Sequence, residues 1–188
     1  TTLQREANRM FGYTAQQTLD AVQEMYEQKL VTYPRTDSQY LTDEIGESTE
    51  ALIQMLTGKL PFAKEMKIQP DVKKVLNSKK VSDHHAIIPT GEIPQGLSNE
   101  QTALYLMIAT GYCLQFYPPM QYEAQKIRAT IAETAWEARG RLVLDAGWTG
   151  FAAEEDEDDA KKKEEQALPP VNKGDAVTCA HVETVKKK

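Results

Sequence analysis

The adjacent prolines Pro118 and Pro119 constrain this chain most, because they divide two periodicities that one element cannot share. Proline lacks an amide hydrogen, and its ring clashes with the preceding turn, so no helix runs through the pair. Before it the pattern is helical. Thr14-Ala-Gln-Gln17 is a capping box, in which the threonine hydroxyl accepts from the amide three residues on while the glutamine reaches back. Behind it Ala15, Leu19, Val22, Tyr26 and Leu30 fall at helical spacing and predict one buried face. Gly12 suits the end of a preceding helix over residues 3–11. A third helix is expected over 42–56, with Asp43 and Glu44 at its positive end. Ser98-Asn-Glu-Gln101 is a second capping box, opening a run over 102–116 that is apolar nearly all round and therefore a buried helix.

Beyond the prolines the period becomes two. Gln125, Ile127, Ala129 and Ile131 alternate with Lys126, Arg128 and Thr130, as in a strand with one wet face. Residues 136–144 read as a second strand, interrupted at Gly140, where a bulge or a close backbone approach is expected. Asn172-Lys-Gly-Asp175 is a turn signal, and 176–185 read as a third strand. Residues 154–166 read as a solvated acidic loop. The fold class is thus α+β, with a helical domain over 1–117 and a β-rich region over 118–188. Three strands make a poor independent sheet, so that region is expected to complete itself with further chain. The start without Met and the end in Lys186, Lys187 and Lys188 also read as those of a piece cut from something longer.

The net charge of −6 argues at first against a polyanionic partner. Yet Glu154, Glu155, Asp156, Glu157, Asp158 and Asp159 account for all of it, so the remainder sums to zero and a locally basic groove stays open. No apolar run approaches the roughly 18 residues of a membrane span, and the first ten residues hold no apolar signal core. Cys113 and Cys179 are far apart and in no metal-ligand spacing. Both read as buried apolar thiols, which suits a reducing cytoplasm.

Chemistry concentrates in Leu30-Val-Thr-Tyr-Pro-Arg-Thr-Asp-Ser38. Tyr33 sits where an amphipathic helix gives way to a loop, and Pro34 biases it away from helical backbone. A phenol with a reference pKa of about 10 is a poor nucleophile at neutral pH and needs a nearby cation. Arg35, two residues on, offers a planar fork suited to phosphate oxygens. Tyrosine so placed can form a covalent intermediate. A phosphotyrosine diester would conserve the energy of the broken link, so resealing would need no nucleotide.

Residues 30–38 resemble the active-site signature of type IA DNA topoisomerases, especially of the topoisomerase III branch. Thr2-Leu-Gln4 and Ala21-Val-Gln-Glu-Met-Tyr-Glu27 resemble that family's approach to the tyrosine, and Asp83-His-His-Ala-Ile-Ile-Pro-Thr90 resembles its second signature. Arg139-Gly-Arg-Leu-Val-Leu-Asp-Ala-Gly-Trp148, with 169–175 behind it, resembles its returning β-rich segment. The resemblance covers nearly the whole chain and departs chiefly at the acidic loop.

Carried over residue by residue, the resemblance implies that Tyr33 takes the 5′ phosphate, Arg35 holds the scissile phosphate, and His84 contacts DNA or aids proton transfer. Asp37 would orient that imidazole. Gln23, Arg35, Asp37, Ser38 and His84 are the residues expected to touch nucleic acid, and His85 is left a structural role. The resemblance further implies a helical tyrosine domain held by a β-rich arch, and a gate in one DNA strand through which another passes. The partners it implies are single-stranded DNA and the rest of the same polypeptide, in a cytoplasmic monomer. Magnesium would be held by an acidic Asp-x-Asp module; Asp156-Glu-Asp158 lies in a charge run with no strand before it and does not read as that module. The piece by itself is then expected to be inactive. Asp83-His84-His85 also invites comparison with metal phosphoesterases, which need further upstream aspartates. A tyrosine recombinase places its nucleophile after its arginines and histidines, and a non-catalytic helical DNA-binding module explains neither signature. If one site is formed, the fold must return residues 83–90 to the mouth of the Tyr33 helix, with the imidazole within about 10 Å of Arg35 or Asp37. All should open on a locally positive face, away from the acidic loop.

Overall fold

The structure is a computed structural model describing residues 2–60, 72–151, 167–178 and 181. It divides into two compact units, Thr1–Pro118 and Pro119–Lys188, so the boundary falls between the two prolines. Among the described residues no helix is long and apolar enough to cross a membrane. The acidic loop over 154–166, and Cys179, lie outside the described residues.

The first unit is built from four helices: α1 (Thr2–Phe11), α2 (Ala15–Glu27), α3 (Asp43–Lys59) and α4 (Asn99–Leu114). Both capping boxes form as their sequences dictate. Thr14 and Ser98 each accept from the amide three residues on, and Gln17 and Gln101 return the bond. Gly12, at φ 72°, ends α1 in the left-handed conformation that glycine adopts without steric cost. Burial on α2 falls on Thr18, Val22 and Met25, one residue round from the expected stripe. The Thr18 hydroxyl is satisfied locally by donating to the Thr14 carbonyl at 3.0 Å, which lets a polar residue enter the core. Tyr26, expected in that core, is 39% exposed. Helix α4 starts at Asn99, directly after its cap, and packs Leu104, Ile108 and Cys113 into a core shared with Val22, Met25, Ile53 and Leu56.

In the second unit β1 (Gln121–Ile131) and β2 (Thr134–Asp145) pair antiparallel. Along β1 burial alternates as expected, with Gln125, Ile127, Ala129 and Ile131 on the more covered face. Ala132 and Glu133 turn the hairpin with φ 48° and 61°, the positive values that match strand twist in a two-residue loop. The bulge lies between Gln121 and Tyr122, not at Gly140. Gly140 is buried and pairs with Gln125, whose Oε1 accepts from the Leu168 amide at 2.7 Å. The chain thus returns across the hairpin where β2 has no side chain. Gly174, at φ 99°, and an Asp175 amide bond to the Asn172 carbonyl form the expected turn. The third strand does not form where it can be followed: residues 176–178 are irregular, with Val177 47% exposed, and pair with no described edge. Residues 179–180 and 182–185 of that expected strand lie outside the described residues.

Candidate active site

Helix α2 ends in a left-handed turn that aims the following segment. Lys29 takes φ 62°, its amide donates to the Tyr26 carbonyl, and the Leu30 amide donates to the Met25 carbonyl, both at 2.9 Å. These are the paired bonds of a Schellman cap, which satisfies the last carbonyls of a helix while reversing the chain. Leu30 and Val31 then sink into the core, and the chain runs extended through Tyr33.

The 83–90 segment is zipped onto this stretch by threonines. Val31 and Pro89 form an antiparallel bridge. The Thr32 amide donates to the Ile88 carbonyl at 2.9 Å. The Thr32 hydroxyl accepts from the Ile88 amide at 2.9 Å and donates to the Ala86 carbonyl at 3.2 Å. The Thr90 hydroxyl donates to the Lys29 carbonyl, and the Thr36 hydroxyl donates to the His84 carbonyl at 2.8 Å.

His84 is thereby delivered to Tyr33. Their ring centroids are 4.3 Å apart at an interplanar angle of 44°. On another side Tyr26 meets the Tyr33 ring edge-on, with centroids 5.3 Å apart at 78°. Tyr33 is half-buried and His84 exposed, so the phenol is braced by two rings, yet its hydroxyl has no hydrogen-bond partner among the described residues. This clamp holds the side chain in place while leaving its oxygen available. Pro34 is buried, Thr36 and Ser38 are half-buried, and Arg35 and Asp37 are exposed, as expected of an extended segment with alternating sides.

The expected residues divide. Tyr33 and His84 come together as foreseen, and Arg35 follows on the same segment. Asp37 makes no hydrogen bond to His84 among the described residues; its side chain stands exposed. Gln23 donates to Glu27 at 3.1 Å, one turn along α2. The Ser38 hydroxyl is committed to the loop, accepting from the Tyr40 amide at 3.1 Å and lying 3.2 Å from the Lys80 carbonyl. Ser38 therefore fixes the backbone beside the site. The His85 Nδ1 lies 2.8 Å from the Ala86 carbonyl, a structural role. A cavity of about 940 Å³ runs along the other flank of the segment, lined by residues 34–39 and by Leu3, Met107 and Tyr112. Lys80 reaches the Tyr40 hydroxyl at 3.1 Å, placing a cation near this loop. Among the described residues no three His, Cys, Asp or Glu side chains converge as metal ligands. Asp156 and Asp158 lie outside the described residues.

Sequence reasoning passed over Tyr26 and the three threonines. Tyr26 read as core from its helical spacing. The threonine partners of the tyrosine segment lie 48 to 61 residues away, and only the recurrence of β-branched hydroxyls around Tyr33 and Pro89 hinted at them.

Known proteins resemble this chain along its whole length. A family model described as DNA topoisomerase matches residues 1–188. DNA topoisomerase 3 of Shouchella clausii is 40% identical over 185 residues, which cover 93% of this chain and 25% of that protein. DNA topoisomerase 3 of Bacillus licheniformis is 38% identical over 194 residues, covering 99% and 26% respectively. That of Bacillus subtilis is 36% identical over 189 residues. The chain spans about a quarter of the length of these relatives. With the match running from end to end and the tyrosine and histidine signatures folded into one cluster, the chain belongs to the DNA topoisomerase family.

Proposed function

We propose that this chain is the tyrosine-bearing part of a type IA DNA topoisomerase of the topoisomerase III kind. In this reading the helical unit carries the nucleophile, and the hairpin unit is part of the arch. The observation that carries it is the Tyr33 ring braced between Tyr26 and His84, with its hydroxyl unpartnered and Arg35 two residues on.

The Tyr33 oxygen attacks the phosphorus of a single-stranded DNA linkage. The bond from phosphorus to the 3′ oxygen breaks, that oxygen takes up a proton, and the 5′ phosphate remains on Tyr33. Arg35 grips the non-bridging oxygens through its fork. His84, against the phenol ring, contacts the strand or moves a proton at the tyrosine oxygen. Attack by the 3′ hydroxyl reverses the step, so one strand is resealed without ATP after another has passed. In this reading magnesium would be held by an acidic module elsewhere in the polypeptide. The chain alone would then not relax supercoiled DNA.

The test uses the intact enzyme, a labelled single-stranded oligonucleotide and a denaturing stop. Wild-type enzyme should retain label covalently. Tyr33→Phe should retain none while binding the strand with near wild-type affinity, because the change removes little besides the attacking oxygen. A covalent adduct of undiminished yield in Tyr33→Phe would assign the chemistry to another residue.

A further inference from the structure

The hairpin of the second unit has two unlike faces. Side chains alternate along a strand, and the register puts Lys126 and Arg128 on the same face as Glu137, Arg139 and Arg141. Four cations thus share a face with one carboxylate. Glu137 sits among three of them, with Lys126 Nζ at 2.8 Å, Arg139 Nε at 2.8 Å and Arg128 Nε at 3.2 Å. Those contacts, Lys126 first and then Arg139, hold its carboxyl down at about 2. Both arginines meet Glu137 through Nε, which leaves their terminal nitrogens uncommitted to it, and their side chains are 75% and 72% exposed.

Stability does not explain this array. Exposed ion pairs contribute little, and among the described residues Lys126, Arg128 and Arg139 share the single carboxylate of Glu137. Exposed arginine forks set along a strand are instead what phosphate recognition uses. The charged rows, Arg141, then Lys126 with Arg139, then Arg128 with Glu137, recur every two residues, a repeat of about 6.8 Å along the strand. Single-strand sites add open aromatic rings on which bases stack. Here there is one aromatic on this face, Tyr122, already stacked on one side by the Arg141 guanidinium 4.4 Å from its centroid, and a single ring makes no row of platforms for successive bases. Trp136 belongs to the opposite face.

We propose that this face of the hairpin binds the phosphate backbone of duplex DNA, without reading its sequence. The proposal rests on the topoisomerase reading above and adds a second DNA contact to it.

The experiment measures binding of a duplex oligonucleotide by the full-length enzyme across a range of salt. Each phosphate contact contributes about 0.9 to the slope of log affinity against log salt, so Arg128→Gln with Arg139→Gln should make the slope shallower by about 1.8. Should that double variant fold poorly, Arg128→Gln alone changes one highly exposed residue and should remove about 0.9. Glu137→Gln should act in the opposite direction and tighten duplex binding, because it removes the counter-charge; loss of a merely structural salt bridge would not do so. Arginine variants with the wild-type slope, or a Glu137→Gln enzyme that binds duplex no more tightly, would overturn the proposal. Single-strand cleavage by the wild-type preparation keeps the two readings apart. Its absence counts against the topoisomerase reading, whereas its presence beside unchanged duplex slopes removes only the hairpin face.

Discussion

Arg35 stands exposed on the segment leaving Tyr33 and takes part in no hydrogen bond or ion pair among the described residues. In the proposed reading this uncommitted guanidinium receives the scissile phosphate. If it grips two phosphate oxygens at once, lysine cannot replace it, because an ammonium is a point charge without the fork. Arg35→Lys in the intact enzyme should therefore slow strand cleavage at least about tenfold, or about 1.4 kcal/mol of transition-state stabilisation. Cleavage at the wild-type rate would show that charge alone suffices. A second residue-scale prediction concerns Cys113, whose thiol is pushed up to about 11 by burial. An unfolded cysteine ionises near about 8.5, so the unfolded chain loses its proton first as pH rises. The stability gained by burying the neutral thiol is complete below about 8.5 and is lost as pH climbs towards about 11. At about pH 8 an alkylating reagent should spare Cys113 in the folded chain and label it in denaturant. Labelling at equal rates in both would contradict its burial.

The elements that place Tyr33 were unevenly legible. Both capping boxes could be read directly, because the bonds run between residues three apart, and both form. The strand alternation over 125–131 was equally local and equally plain. The two-residue hairpin turn at Ala132 and Glu133 carries none of the usual glycine or asparagine, so nothing in the sequence announced it. The helical spacing that put Tyr26 in the core could not show that its ring would serve the tyrosine beyond the helix end. Least legible was the zipper between the two signatures, since Thr32 meets Ile88 and Ala86 at separations of 56 and 54 residues. The resemblance foresaw that the signatures meet, and the structure supplies the means. Thr32→Val keeps the shape but strands the Ile88 amide, which should cost about 1–3 kcal/mol in a denaturant titration of the chain. It should also loosen His84 against Tyr33 and lower cleavage in the intact enzyme. Unchanged stability would show that the hydroxyl does not hold the zipper.

At the scale of the whole molecule, Pro118-Pro119 separates two units whose periodicities had already set them apart. The first brings the tyrosine, its bracing rings and the arginine segment together; the second offers a twisted ribbon with a basic face. The returning segment past residue 175 was harder to read: its alternation predicts a strand, yet residues 176–178 are irregular and pair with neither β1 nor β2. The account stands or falls on the identity of the nucleophile among the eight tyrosines of the chain. The most direct measurement is to trap the covalent complex of the intact enzyme with single-stranded DNA, digest both components, and identify the modified peptide by mass. The account predicts a nucleotide joined through its 5′ phosphate to Tyr33, within the peptide holding residues 30–38. An adduct on any other residue, or one joined through a 3′ phosphate, would contradict it.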